Sequence, residues 1–255
     1  MENPKKIETS RSVDNSIVVL RQLCKYPYRY RISELVIETG INRTALYRIL
    51  NSLVASCIVI KTEKEKLYKL GPLAYEMGSV YLSSFNFKDS IYPILDKISH
   101  ESKESVGLAI LENEYVISLY EIEIDQPFKM NYRPGIIYPP NRGCYGKCLM
   151  AYYDPKKAEQ IVRSQTYEKI CDNTITDHDE ILKEYESIRE MGYVISDNET
   201  FPLAVGVGIP LFNKDGSVTT CIAISFLRHE GYKVDIQRLK EVLYEYREEL
   251  NQFMI

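Results

Sequence analysis

The chain has 255 residues, 45% of them hydrophobic and 27% charged, and this ordinary globular composition excludes wholesale disorder. Every apolar run is shorter than a membrane-spanning helix requires, and we expect no secretory signal in the polar start, MENPKKIETSRS. The net charge of -4 combines a basic segment, residues 1–72 with 13 Lys and Arg against 7 Asp and Glu, with an acidic remainder of 19 against 29, which predicts one module for a polyanion and another for a different ligand.

The first predicted element is a helix that starts at Ser12, after a flexible tail of residues 1–11. Its apolar residues recur at helical spacing along one stripe, formed by Val13, Ile17, Leu20 and Cys24. Pro27 ends the pattern.

Two further helices are predicted around a glycine turn. Ser33 is a candidate N-cap of the second helix, with Ile32 and Ile37 as a hydrophobic staple, and Gly40 suits the left-handed position at its end. The third helix, about 42–55, has an apolar face formed by Leu46, Ile49, Leu50 and Leu53. Because a charged hairpin follows this helix-turn-helix, residues 12–72 are predicted to be a winged helix.

The rest of the chain predicts a linker helix over residues 73–87 and a second domain over 88–255. In that domain, helices alternate with pairs of strands, which predicts an α+β fold with an antiparallel sheet. The expected elements are a helix over 87–102, a hairpin over 105–124, a strand over 127–132, a loop over 133–143, helices over 146–153, 155–165 and 177–191 (the last capped by Thr176), strands over 205–212 and 217–227, and a C-terminal helix from Val234.

Four stretches in sequence order resemble one known family: TGINRTALYRILNSLVASCIVIKTEKEKLYKLG, YGKCLMAY, GYVISDNE and KDGSVTTCIAISF. Together they are similar to the IclR family of bacterial and archaeal transcription regulators, over roughly Ser12 to Phe253. The resemblance implies a winged helix-turn-helix joined to a GAF-like effector-binding domain, in a cytoplasmic homodimer or dimer of dimers. It also implies a DNA-binding regulator whose operator binding is controlled by a small-molecule effector, without identifying the effector or distinguishing a repressor from an activator.

Candidate DNA-binding residues lie on the third helix, opposite its apolar face. They are Arg43, Thr44, Tyr47 and Arg48, near the N-terminus of this helix. The N-terminal segment of a recognition helix is the part that enters the major groove. The alternative is that they are ordinary solvated positions, and the resemblance favours double-stranded operator DNA. Phosphate-contacting candidates are Arg31, Ser33, Lys64 and Lys66, although Glu63 and Glu65 partly cancel the two lysines.

The resemblance also implies an effector pocket, formed by Met130, Tyr138, Cys144, Tyr145, Gly146, Ser196, Gly206, Ala223 and Ser225. Backbone N–H groups of residues 143–146 could meet an anionic ligand at a helix start, although an ordinary glycine turn is nearly as good an interpretation. Compared with the family pattern, Ser196, Gly206 and Ala223 replace a carboxylate, a thiol and a hydroxyl, and Gly206 is expected to leave more room. We therefore expect an effector larger or less polar than the small oxo- and hydroxy-acids bound by some relatives.

The sequence predicts no enzyme activity, cofactor or metal site. Cys144 as a nucleophile with His178 as its general base is one candidate catalytic pair, but no nucleophile motif surrounds any Cys or Ser. Cys144 and Cys148 have a spacing suited to zinc, yet nothing nearby completes a tetrahedral set, so two buried reduced thiols are preferred. The alternative function is a ligand sensor or cysteine-dependent enzyme whose winged helix makes protein contacts.

Overall fold

The computed structural model describes residues 9–85, 88–124 and 134–254. The chain divides into two compact units, Met1–Phe85 and Asn86–Ile255. Both the strand expected over 127–132 and the candidate residue Met130 lie outside the described residues.

The first unit contains the predicted three helices and hairpin. Its elements are α1 (Arg11–Leu23), α2 (Ile32–Thr39), α3 (Arg43–Ala55), β1 (Val59–Lys61), β2 (Tyr68–Leu70) and α4 (Pro72–Ser83). The two strands are antiparallel, with Val59 opposite Leu70. Gly40 adopts the expected left-handed backbone at φ 66°, so the predicted glycine turn between α2 and α3 is confirmed.

The apolar stripe predicted for the first helix is wrong. Val13, Ile17 and Cys24 are exposed, whereas Val19 and Leu23 of the same helix are fully buried. The helix has apolar residues on more than one face, so spacing alone could not identify the row that packs against α2 and α3.

The predicted start of the second helix is also wrong. Arg31 occupies the N-cap position, and its backbone N–H donates to the Glu34 carboxylate at 2.5 Å. Ser33 therefore lies inside the first turn, and Ile37 is exposed rather than part of a staple. By contrast, Asn42 caps α3 by accepting a hydrogen bond from the Ala45 N–H at 2.9 Å.

The second unit is a six-stranded sheet with helices. Its elements are α5 (Lys88–Ser102), β3 (Ser105–Glu112), β4 (Tyr115–Ile122), β5 (Ile137–Tyr138), α6 (Cys144–Tyr152), α7 (Pro155–Arg163), α8 (His178–Met191), β6 (Val194–Asp197), β7 (Ala204–Phe212), β8 (Val218–Leu227) and α9 (Tyr232–Asn251). All neighbouring strands are antiparallel, in the order β5-β4-β3-β8-β7-β6.

Both faces of this sheet are covered. Every residue of β7 from Ala204 to Leu211 is buried, as expected for a strand with helices on both sides. Helix α6 packs on one face, with α7 and α8 outside it, and α5 and α9 pack together against the sheet. This arrangement confirms the predicted α+β class and places the start of α6 over the middle of the sheet.

Local predictions in this unit need correction in four places. Helix α6 starts at Cys144, two residues earlier than expected, and α8 is capped by Asp177 rather than Thr176, because the Asp177 carboxylate accepts from two backbone N–H groups. Strand β5 lies within the expected loop. Strand β6 was not predicted at all. Among the described residues, no helix is long and apolar enough to cross a membrane.

Candidate nucleic-acid interface and ligand cavity

The orientation of α3 agrees with the sequence prediction. Leu46, Ile49 and Leu50 are buried in the core of the first unit. The four candidate residues on the other side of the helix, Arg43, Thr44, Tyr47 and Arg48, are all exposed. The helix thus presents two guanidinium groups, a hydroxyl and a phenol to solvent from its first two turns.

The cationic groups of this surface are not neutralised by neighbouring carboxylates. In the described part of the first unit, residues 9–85, neither Arg43 nor Arg48 forms an ion pair, and the Arg43 guanidinium lies 5.8 Å from the centre of the Tyr47 ring. An unpaired exposed guanidinium can contact phosphate or guanine without first breaking an internal interaction.

A groove between α1 and α3 extends this surface. It is lined by Arg11 and Asn15 of α1, by the N-cap residue Asn42, and by Arg48 and Ser52 of α3. Arg11 was not among the predicted DNA contacts, because residues 1–11 were expected to form a flexible tail, whereas α1 begins at Arg11. Arg11 lies one helical turn before Asn15, so both side chains can line the same groove.

The remaining DNA-contacting candidates are exposed at two other places. Arg31 and Ser33 lie at the start of α2. Lys64 and Lys66 lie in the turn between β1 and β2, next to the equally exposed Glu63 and Glu65. The wing therefore carries no net charge in its turn.

A cavity lies beside the start of α6 in the second unit. Most of the residues predicted for the pocket come together there: Tyr138, Cys144, Tyr145, Ser196, Gly206, Ala223 and Ser225. Gly143, which belongs to the predicted loop 143–146, also lines the cavity. The lining residues that were not predicted are Thr200, Ala204, Val205 and Ile224. They lie near predicted positions in the chain, but the sequence alone does not show which neighbours share the cavity wall.

Gly146 is not among these lining residues. A Cβ at this position would lie 1.9 Å from the carbonyl oxygen of Pro139. Glycine is therefore required there because α6 packs directly against the backbone before it.

The expectation that Gly206 enlarges the pocket is wrong. A Cβ built on Gly206 would lie 2.7 Å from the Sγ of Cys144, so the thiol of Cys144 fills the space that a side chain at 206 would occupy. The cavity therefore keeps a thiol, which comes from α6 rather than from β7.

A buried ionic network holds the start of α6. The Lys147 ammonium, 1% exposed, donates to Glu199 at 2.6 Å, to the Ile195 carbonyl at 2.7 Å and to Glu184 at 2.8 Å. Burial alone would lower the pKa of Lys147, but the Glu199 and Glu184 carboxylates outweigh burial and raise it. The lysine is thus positively charged, and it compensates the charge of Glu199.

Glu199 links this network to the cavity. Its Oε2 accepts hydrogen bonds from the Gly143 N–H and the Ser196 hydroxyl, both at 3.0 Å. The first intrahelical bond of α6 runs from the Lys147 N–H to the Gly143 carbonyl. The N–H groups of residues 144 and 145 thus belong to the first turn of the helix, and both residues line the cavity.

An aromatic pair lines the cavity, and a buried carboxyl contacts one of its two rings. Tyr138 and Tyr145 meet edge to face with ring centres 5.0 Å apart. The Tyr145 hydroxyl donates to Glu121 at 3.4 Å over Gly107, where no side chain would fit. Burial raises the pKa of Glu121 to about 8, against the lowering effect of the Tyr145 hydrogen bond.

The thiols do not have the features of a nucleophile. Cys144 and Cys148 are both buried, and burial raises the pKa of Cys144 far above its usual range. His178 contacts the Gln165 carbonyl oxygen at 3.0 Å and the Tyr167 ring, rather than a cysteine. Among the described residues, no three His, Cys, Asp or Glu side chains are grouped as a metal site would require.

Comparisons with known proteins agree on one family. Residues 79–251 match the family described as bacterial transcriptional regulator IclR C-terminal. The chain is 22% identical over 215 residues to the HTH-type transcriptional regulator BhcR of Paracoccus denitrificans, covering 84% of this chain and 77% of BhcR.

Solved structures of the same family share the fold. An IclR transcriptional regulator from Alicyclobacillus acidocaldarius superposes with a TM-score of 0.78 at 21% identity, covering 96% of this chain and 99% of that one. An IclR homologue from Microbacterium hydrocarbonoxydans, solved as a complex with 4-hydroxybenzoate, has a TM-score of 0.72 at 17% identity, with 94% and 99% covered.

Proposed function

The chain belongs to the IclR family of bacterial transcriptional regulators, and on this basis we propose which of its residues contact DNA and which hold the effector. As a member, it is a DNA-binding regulator whose operator binding is controlled by a small-molecule effector. The observation that carries the DNA assignment is the orientation of α3, whose apolar side is buried while Arg43 and Arg48 are exposed without ion pairs among the described residues.

In this proposal, α3 lies in the major groove of operator DNA. Arg43 and Arg48 contact guanine edges or phosphates, and Thr44 and Tyr47 contact phosphates or thymine methyl groups. Additional phosphate contacts come from the groove and the surrounding turns, through Arg11, Arg31, Ser33, Lys64 and Lys66.

The test is binding to the upstream region of the protein's own gene, measured by fluorescence anisotropy at several salt concentrations. Arg43→Ala and Arg48→Ala should each weaken binding, by about 1–3 kcal/mol where the arginine reads a base. Loss of a phosphate contact should reduce the log–log salt slope by about 0.9. Lys214→Ala, which removes an exposed charge from the turn between β7 and β8, is the matched control.

If both arginine variants bind like the wild type, the alternative function is favoured, namely a ligand sensor or enzyme whose winged helix makes protein contacts. The low reactivity expected of the buried Cys144 thiol argues against the enzyme version. We propose no catalytic role, cofactor or metal for this chain, and we propose that it acts in the cytoplasm.

The cavity at the start of α6 is the proposed effector site. Its walls are mainly apolar or aromatic, and its polar groups are the hydroxyls of Ser225, Thr200 and Ser196 with the backbone N–H groups at the start of α6. Such a combination suits a ligand with an anionic or carbonyl end at the helix and an apolar body. The 4-hydroxybenzoate bound by the Microbacterium homologue has this character.

We propose an effector larger or less polar than glyoxylate or pyruvate. The support is the mainly apolar and aromatic lining of the cavity, which favours a less polar ligand, whereas Gly206 adds no space. Calorimetry with a metabolite panel tests this, with Ser225→Ala as the site variant. Tight binding of glyoxylate or pyruvate alone would contradict the proposal.

A two-fold symmetric assembly, a homodimer or dimer of dimers, is also proposed. Two helices of the first unit have exposed apolar residues that a second copy could cover: Val13, Ile17 and Val18 of α1, and Tyr75, Met77 and Val80 of α4. Operator symmetry mirrors protein symmetry, so the operator should be pseudo-palindromic.

A further inference from the structure

A second cavity of the Asn86–Ile255 unit differs from the proposed effector site. It is an open groove of about 750 Å³, between the start of β4, the segment after β5, and helices α6 and α7. Its walls are mostly apolar, with Val116, Pro139, Met150 and Ile161 among them. Within the described part of the chain, its charged lining residues are Glu114 and Arg142.

Arg142 has an unsatisfied donor. Its Nε is buried and has no hydrogen-bond partner among the described residues. Burial lowers the pKa of Arg142, while Cys171 and Glu168 act on it electrostatically without a hydrogen bond. An arginine remains charged in proteins, and the Arg142 guanidinium forms no ion pair among the described residues, so its outer nitrogens can pair with an anion in the groove.

The backbone on both sides of Arg142 is held in place. Before it, the Pro140 carbonyl accepts from the Tyr185 hydroxyl at 2.8 Å, and the Asn141 amide donates to the Ile175 carbonyl at 2.7 Å. After it, the Gly143 N–H donates to Glu199 at 3.0 Å. The arginine thus starts from a rigid position, which reduces the entropy lost when a ligand binds.

We propose that this groove binds a small monocarboxylate with an apolar body, held by Arg142. A carboxylate can accept two parallel hydrogen bonds from the outer nitrogens of a guanidinium, and Arg142 lines the groove. The apolar body would pack against Val116, Pro139 and Met150. A polyol or phosphate ester would instead leave polar atoms against these walls, and Glu114 further disfavours a dianion.

The groove adjoins the effector cavity through one side chain. Tyr138 lines both cavities, and its ring packs edge to face on Tyr145 of the effector cavity. A carboxylate in the groove would therefore contact a wall of the effector site.

The test uses 4-bromobenzoate, because the bromine can be located by anomalous diffraction in co-crystals. We expect a bromine peak in the groove, and calorimetry should show that Arg142→Gln weakens this binding by about tenfold to a hundredfold. Arg142→Lys should retain part of the affinity, and neutral 4-bromobenzamide should leave the groove empty. Ser225→Ala, which changes only the effector cavity, should leave groove binding intact.

Three results would overturn the proposal: no bromine in the groove, bromine only in the effector cavity, or equal affinity in Arg142→Gln. If Arg142→Gln does not fold, the comparison of 4-bromobenzoate with 4-bromobenzamide in the wild-type protein decides whether the groove requires a carboxylate. Operator binding, assayed separately, distinguishes failure of this inference from failure of the DNA assignment.

Discussion

The contact between Cys144 and Gly206 shows how one missing side chain determines the shape of the effector cavity. A Cβ at residue 206 would lie 2.7 Å from the Cys144 Sγ, closer than two such atoms can pack. We expect Gly206→Ala to destabilise the protein by about 1–3 kcal/mol through overpacking. Chemical denaturation of Gly206→Ala, Cys144→Ala and the double variant measures the effect. Adding Cys144→Ala to Gly206→Ala should restore most of the stability that Gly206→Ala loses, because the clashing thiol is removed. Simple additivity of the two changes would contradict this account.

The buried carboxyl of Glu121 predicts a pH-dependent stability. Its folded pKa of about 8, raised mainly by burial and also by Glu123, lies above the ordinary value of 4.5. Between these values the folded state binds more protons than the unfolded state, so this contribution to stability is full below pH 4.5 and is lost as the pH rises towards 8. Glu121→Gln should remove that dependence, which corresponds to about 1.4 kcal/mol per pKa unit.

Denaturation midpoints of the wild type and Glu121→Gln at several pH values between 5 and 8.5 would measure it. Glu114→Gln, in the exposed turn of the same hairpin, is the control and should follow the wild type. Parallel curves for Glu121→Gln and the wild type would mean that Glu121 titrates like an exposed carboxyl.

At the scale of elements, the N-cap of α3 joins stability to DNA binding. The Asn42 side chain accepts from the Ala45 N–H at 2.9 Å and so fixes the turn that holds Arg43 and Thr44. Asn42→Ala should cost about 1 kcal/mol of stability, whereas Asn42→Asp, which keeps the acceptor at a helix N-terminus, should cost little. Thermal unfolding of the three proteins tests this. Equal destabilisation by both substitutions would show that the cap contributes nothing.

Long and strongly patterned elements could be predicted from the sequence, and their packing could not. Helix α3 and hairpin β3–β4 have clear periodicity and turn residues, so both were predicted near their observed bounds. In α1, however, Val13 and Val19 are equally apolar, and only the surrounding helices determine that Val19 is buried. Strand β6 has four residues, too few for a periodic signal.

The same limit applies to the effector cavity. The family resemblance identified most of the residues that line it, because they lie in recognisable stretches of sequence. The position of the Cys144 thiol beside Gly206 and the network of Lys147 with Glu199 depend on distances between distant segments. Neither is encoded in any local pattern of residues.

At the scale of the whole molecule, regulation requires that the effector bind DNA-competent and incompetent states with unequal affinity. A coupling of about 1–3 kcal/mol is typical of such systems. We propose that it passes through the predicted linker segment 73–87, most of which belongs to α4 (Pro72–Ser83). Lys147 offers a rigid starting point for this coupling at the cavity. It joins the start of α6 to Glu199, which follows β6, and to Glu184 of α8.

Assembly of two copies should determine operator binding, because reading a two-fold operator requires two recognition helices at fixed spacing. Val80 of α4 is 66% exposed, within a helix that also exposes Tyr75 and Met77, and a second copy is the proposed cover. Val80→Asp places a charge in that contact, so it should shift the sedimentation coefficient towards a monomer and weaken binding to the full operator more than to a half-site. The control is Val234→Asp, an equally exposed valine (76%) at the start of α9, which should change neither measurement. An unchanged oligomer in Val80→Asp would exclude α4 from the contact between copies and require another surface to set the spacing of the half-sites.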